Sequence, residues 1–198
     1  MGAMTKLMAV NRMLRGAGES PVSTLIDDGV NDVSMAVAIL DETNQMLQID
    51  RQSFNTEDTT LSPDNDGNIY INADTLFVDT RGDHANVSIA VRGSPPRLYN
   101  LDDNTYEWDE DLQVKITILV PFDDVPTATQ YEICDMAARV YQMQTMGDPT
   151  QDAILSQISM RSQIRSRANE MRQSDYSMLR KSKIARYISN SRYRYWFE

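Results

Sequence analysis

The hydrophobic period of this chain changes twice, and that double change limits what it can fold into. Up to about residue 52, apolar residues recur every three or four positions, the spacing of a helix with one buried side. From Phe54 to Val120 they alternate instead. Ile69 and Ile71 do so, then Val87, Ile89 and Val91, then Val114, Ile116, Ile118 and Val120, as in strands with one wet face. From Pro121 the helical period returns. A β segment inserted between helical segments forces the helices before and after it to meet across the insertion. The reading is α+β: a discontinuous antiparallel helical bundle, an inserted antiparallel β domain, and an extended C-terminal tail. Its boundaries are 1–52 and 121–179 for the helical domain, 53–120 for the β domain, and 180–198 for the tail.

The spine of the helical part lies in residues 126–179. Pro126 suits a first turn and Thr127 can cap it. Tyr131, Cys134, Ala138 and Tyr141 then recur at helical spacing, flanked by Ile133, Ala137 and Val140. Gly147 stops that helix, Asp148 offers a cap, and Pro149 takes the first position of the next. So short a link predicts an antiparallel pair. The second helix opens with Ile154, Leu155 and Ile158, enough to pack on a neighbour. It then thins to Ile164, Ala168 and Met171 while Arg161, Arg165, Arg167 and Arg172 accumulate. A solvated helix with scattered ion pairs is the plain reading. The preferred one is packing against other protein chains, because such a helix gains little stability alone.

Nearer the N-terminus, residues 5–15 predict a helix with Leu7, Val10, Met13 and Leu14 on one side, closed by Gly16 and Gly18. A second helix runs from Asn31 or Asp32 to about Arg51, with Val33, Ala36, Val37, Leu40 and Leu47 sharing a face. Thr43 and Asn44 are expected to interrupt its burial. Turns are predicted at Asp64-Asn65-Asp66-Gly67, Arg81-Gly82-Asp83, Gly93-Ser94-Pro95-Pro96 and Asp102-Asp103-Asn104.

Charge divides the molecule. The net charge is −10, yet residues 153–198 hold ten Lys and Arg against three acids, a net of +7 that leaves residues 1–152 at −17. A body so acidic is unsuited to wrapping nucleic acid, whose phosphates it repels. The basic end can meet either nucleic acid or an acidic protein surface. The apolar fraction of 41% and mean hydropathy of −0.48 fit a protein that leans on partners. No stretch reaches the length of a membrane span, and no charged-then-apolar leader opens the chain.

Chemistry finds little purchase. The one histidine, His84, sits in a polar turn and is expected to face solvent, so no Ser–His–Asp or Cys–His triad can be assembled around a buried base. The one cysteine, Cys134, falls on the apolar side of its helix and reads as a buried, inert thiol. Asp64-Asn65-Asp66-Gly67 looks like a calcium loop, but Ser62 and Ala73 stand where ligating acids are needed. Asp102, Asp103, Asp109, Glu110 and Asp111 cluster around Trp108. Paired carboxylates can do acid–base work, though dense acids in a hairpin loop are more often a solvated edge. Gly16-Ala17-Gly18 follows a helix instead of opening one and lacks the lysine of a phosphate loop. The expectation is a protein that is not an enzyme and takes no cofactor or metal.

The tail is the strongest candidate for binding. Arg180, Lys181, Lys183, Arg186, Arg192 and Arg194 mix there with Tyr187, Ile188, Tyr193, Tyr195, Trp196 and Phe197. Disordered termini are poor in aromatic residues, whereas Arg, Tyr and Trp anchor protein interfaces and also stack on bases. A protein interface is favoured, with a nucleic-acid-binding module as the alternative.

These features occur in an order that resembles one family. Gly18-Glu19 and Pro21-Val22-Ser23-Thr24-Leu25 are followed by Ala36 and Leu40, then Phe54-Asn55-Thr56-Glu57 and Leu98-Tyr99-Asn100. Pro121-Phe122-Asp123-Asp124-Val125-Pro126, Ala137-Ala138-Arg139 and Asp175-Tyr176-Ser177-Met178-Leu179 complete the set. The set is similar to the tail tubular protein A family, the head-to-tail adaptors, or connectors, of short-tailed phages (podoviruses). Gln52-Ser53 stands where that family has a tryptophan. The resemblance implies a virion protein assembled in the host cytoplasm, forming a dodecameric ring between portal protein and tail nozzle. The nozzle partner would be a tail tubular protein B-like chain. Double-stranded DNA would pass through the bore without sequence-specific binding. On this reading, Arg161, Arg165, Arg167 and Arg172 serve the ring interface. Portal binding falls to Arg180, Lys181, Lys183, Arg186, Tyr187, Arg192, Tyr193, Arg194, Tyr195, Trp196 and Phe197. Tyr99, Tyr106 and Trp108 meet the nozzle or a tail fibre.

Overall fold

The computed structural model describes residues 3–26, 31–50 and 53–173. The predicted tail, with all its proposed portal contacts and Asp175 to Leu179, lies outside the described residues. Helix α1 (Lys6–Gly16) starts where the Thr5 hydroxyl accepts the Met8 N–H at 3.3 Å. It ends as Gly18, at φ +77°, turns the chain so that the Glu19 N–H reaches Leu14 O at 2.9 Å. Helix α2 covers Asn31–Ile49, α3 covers Thr127–Thr145, and α4 covers Pro149–Gln173. Ala9, Val10, Met13 and Leu14 of α1, Ala36 and Leu40 of α2, and Ile133, Ala137 and Tyr141 of α3 form one buried apolar cluster. Helical segments on either side of the β region therefore share a core.

Between them run five strands, β1 (Thr56–Leu61), β2 (Thr75–Thr80), β3 (Ile89–Arg92), β4 (Arg97–Asn100) and β5 (Leu112–Ile118). β5 is the middle of a three-stranded antiparallel sheet, with β1 on one side and β2 on the other. Val114 pairs with both Thr59 and Thr80. β3 and β4 form a separate antiparallel hairpin. Ile69, Ile71, Val78, Leu98, Trp108, Leu112 and Val114 make a second buried cluster. The fold is thus α+β, with antiparallel sheets.

Several local expectations are corrected. Ile69 and Ile71 are buried but belong to no strand; only Tyr70 bridges to Arg97. β1 reads Thr-Glu-Asp-Thr-Thr-Leu and carries almost no apolar signal; it is a strand because β5 supplies its partners. On β5 the inward side holds Leu112 and Val114 and then passes to Thr117, next to a register shift between Thr75 and Phe77 on β2. Val140 is exposed on α3, and Thr127 is its first helical residue without a side-chain cap bond.

Thr43 and Asn44 do not interrupt burial on α2. Both are buried, because the polar groups there are satisfied internally. The Thr43 hydroxyl donates to Ile39 O at 2.7 Å. Gln48, fully buried, donates through Nε2 to Asn44 Oδ1 and to Val120 O, both at 2.8 Å, and accepts the Val120 N–H through Oε1 at 2.8 Å. Its amide pairs with both backbone groups of Val120 as a neighbouring strand would. Asn55 Nδ2 donates back to Gln48 O at 3.0 Å. One side chain ties α2 to the end of the sheet and the start of the α3 approach.

Candidate contact surfaces

Helices α3 and α4 are antiparallel. Thr129 pairs with Ser166 at 3.1 Å near one end, and Arg139 holds Asp152 through two bonds of 2.6 and 3.1 Å near the other. The turn between them is built as its residues require. Gly147 adopts φ +63°, and Asp148 Oδ1 accepts the Thr150 N–H at 2.8 Å.

The seam they make is polar. Of α4's residues, Leu155, Ser162 and Ser166 are buried; Ile154, expected to pack, is half exposed. α3 contributes two buried carboxylates, Glu132 and Asp135. Burial pushes both up from the usual carboxylate range. Opposing that rise, Ser166 and Arg167 act on Glu132. Arg12, 2.5 Å from Asp135, acts on Asp135 together with Ser162 and Arg165. Small hydroxyls facing carboxylates let the helices approach, but they bury little apolar surface.

The outer face of α4 is therefore where its remaining side chains lie. Arg161, Arg165, Arg167 and Arg172 are all exposed, as are Met160, Ile164 and Met171. The four arginines share one long helix, as the spacing requires. Arg165 and Arg167 act across the seam on Asp135 and Glu132 of the same subunit.

Tyr99 of β4 and Tyr106, in the loop that follows it, come together edge to face, with ring centroids 4.8 Å apart. Arg92 lies over Tyr99 and Arg97 over Tyr106, each 4.4 Å from the ring centroid. Trp108 does not join this surface. It is buried in the β cluster, and its Nε1–H donates to Leu98 O at 3.3 Å. The expectation groups Trp108 with Tyr99 and Tyr106 at one contact; the β segment has a buried cluster of its own, and Trp108 belongs to it.

The carboxylates around it hold the loops together. Asp102 accepts the Ser88 N–H and Asp103 accepts from Asn100 Nδ2, each at 2.9 Å. Glu110 lies 2.8 Å from His84 Nε2. His84 is only partly exposed, so the expected solvent-facing imidazole is half enclosed and paired. Asp64 accepts the N–H groups of Asp66 and Asn68, the bonds of a turn. Cys134 is fully buried, its thiol points to Ala9 O at 3.7 Å, and burial pushes its pKa up to about 12. Among the described residues no group of three or more His, Cys, Asp or Glu is placed to hold a metal ion. No described helix is long and apolar enough to cross a membrane.

A further surface had no sequence signal. Lys6, Asp41, Glu42, Asp74 and Asp123 line an open cleft of about 650 Å³ together with Leu119, Pro121 and Phe122. Lys6 Nζ pairs with Asp41 at 2.7 Å, and the Lys6 N–H reaches Asp123 Oδ1 at 2.8 Å. Its four carboxylates come from α2, the β2 approach and the link to α3, so only folding assembles them.

Among the described residues, then, two buried clusters carry an arginine-bearing helix face and a paired-tyrosine surface. The chain belongs to the tail tubular protein family, whose family model matches residues 7–176. It is a structural component of a phage tail and works in an assembly with other tail proteins. No curated protein matches it.

Proposed function

We propose that this chain is the head-to-tail adaptor: a dodecameric ring between portal and tail nozzle, with a bore for the genome. The observation that carries this reading is α4. A helix of 25 residues that buries one leucine and two serines, and leaves Met160, Ile164, Arg161 and Arg172 exposed, buries little apolar surface within its own subunit. A ring sets a neighbouring copy against that exposed face, through Arg161, Arg165, Arg167 and Arg172. An acidic body suits a bore that must release DNA.

The rest of the assignment follows the same logic. Residues 1–52 with 121–179 act as one helical domain and 53–120 as an inserted one, each organised on its own buried cluster. Tyr99 and Tyr106, stacked with Arg92 and Arg97, form the nozzle or fibre contact; Trp108, buried in the β cluster, is bonded to Leu98 O next to Tyr99 in the chain. The basic aromatic residues from Arg180 to Phe197 dock on the portal. Imaging of the purified protein, alone and mixed with portal, tests the ring: closed twelve-fold particles are expected, and a monomer under both conditions refutes it. Removing residues 187–198 should abolish joining to the portal. If that truncation instead leaves joining intact and abolishes duplex-DNA binding, the nucleic-acid reading of the tail replaces this one.

A further inference from the structure

We propose that the outer face of α4 in one copy seats against the acidic cleft of a second copy, so that subunits join head to tail through two unlike surfaces. The pairing deepens the ring reading and rests on it only for closure.

The face has a definite layout. At 100° per residue, Met160, Ile164 and Met171 fall within a band roughly 40° wide, on the side opposite Leu155, Ser162 and Ser166. These three residues are 61, 64 and 61% exposed, which is too concentrated for scattered surface apolar residues. The same geometry sets Arg161, Arg165 and Arg172 in a row on the adjoining flank, roughly 60–100° beyond the band, with Arg167 along its other edge.

The cleft offers the complement. Among the described residues, Asp41, Glu42, Asp74 and Asp123 outnumber the one cation there, Lys6, which pairs with Asp41, and they stand beside Leu119, Pro121 and the edge of the buried Phe122. Carboxylates receive guanidinium groups in paired hydrogen bonds, and the apolar lining receives the methionine and isoleucine side chains. Duplex nucleic acid would satisfy the arginines but leave the apolar band in water.

One copy cannot make this contact with itself. α4 is fastened to α3 by Arg139–Asp152 and Thr129–Ser166, and its band points away from that seam. The cleft is built from α1, α2 and the segments around β2 and β5, with no α4 residue in its lining. Each copy thus exposes one donor face and one acceptor face. Repeating such a contact gives a closed ring or an open filament, not a two-fold dimer. Its strength should fall with added salt.

Two charge-reversed variants test the pairing, both at exposed positions: Arg161→Glu with Arg172→Glu on the face, and Glu42→Lys with Asp74→Lys in the cleft. Mass is followed by light scattering against concentration, with circular dichroism to confirm folding. Each variant alone should self-associate at least ten-fold more weakly than the unaltered chain. An equal mixture should regain assembly, because both the native and the reversed pairs are then complementary. If either variant unfolds, Arg161→Gln and Glu42→Gln are read in the same way, each weakening association.

Rings that form unchanged from either folded variant overturn the pairing and leave the ring reading standing. Folded variants that lose assembly but gain nothing on mixing also overturn it. Open chains or small oligomers of the unaltered protein, abolished by each variant and restored by mixing, sustain the pairing and refute closure into a ring. A chain that stays monomeric at all concentrations and with portal refutes both.

Discussion

Replacing Gln48 by methionine should cost this protein more than any surface change. Methionine matches the length and most of the volume of the glutamine, so the substitution removes the amide while leaving the packing nearly filled. Three hydrogen bonds of 2.8 Å are lost, one to Asn44 and two to Val120. At about 1 kcal/mol net each, with a further penalty for polar groups left without partners, the gross loss is about 3–5 kcal/mol. Burial of the more apolar side chain returns about 1 kcal/mol. The expected net destabilisation is therefore roughly 2–4 kcal/mol, since Gln48 is fully enclosed and water cannot replace it cheaply. For a chain of this size that is a fall in Tm of about 6–12 °C. Denaturant and thermal unfolding would measure it. A loss smaller than about 1 kcal/mol would show that the amide is not the tie described here.

Cys134 should resist thiol reagents in the folded protein and react at the rate of unfolding, because its thiol is buried and its pKa is raised to about 12. Glu132→Gln should raise stability at neutral pH and flatten its dependence on acid. The folded carboxyl has a pKa above its unfolded value, so its contribution is most favourable at low pH and is lost as pH rises through the raised value; a lower Tm for the variant at pH 7 would contradict this. Gly147→Ala should cost about 1 kcal/mol from its left-handed backbone alone, since a Cβ there meets nothing closer than Met143 O at 3.8 Å.

The helices were legible because their burial follows period, caps and glycine stops, which are local properties of sequence. Several of the ordered motifs also acquire reasons. Asn11 brackets Val22 with bonds of 2.8 and 2.7 Å, and Glu19 accepts the hydroxyl of the fully buried Tyr141 at 2.8 Å, holding the loop after α1 on the helices. What escaped was decided by partners. β1 is a strand only because β5 lies beside it, and Thr43 and Asn44 are buried only because their polar atoms find acceptors and donors along and beyond α2. The Arg92–Tyr99–Tyr106–Arg97 stack joins residues from three local segments, so no spacing announced it. Tyr99 and Tyr106 could be picked as aromatic residues outside the helical core; the same criterion also picks Trp108, which the β cluster buries.

The placement of β5 has a mechanical consequence. It is hydrogen-bonded along both edges, and beyond its end the chain is gripped at Val120 by Gln48 and then enters α3. Tension applied to the sheet along its strands loads two ladders in shear and passes into the helices at one clamped residue. The β3–β4 hairpin is joined to no strand of that sheet; it is bonded instead to the 69–71 segment, Leu98 N–H donating to Ile69 O and Ile71 N–H to Pro96 O. Tyr99 sits on that hairpin, so a tug on it spreads through the hairpin and the 69–71 segment, whereas Tyr106, on the link between β4 and β5, passes a pull directly towards the middle strand of the sheet.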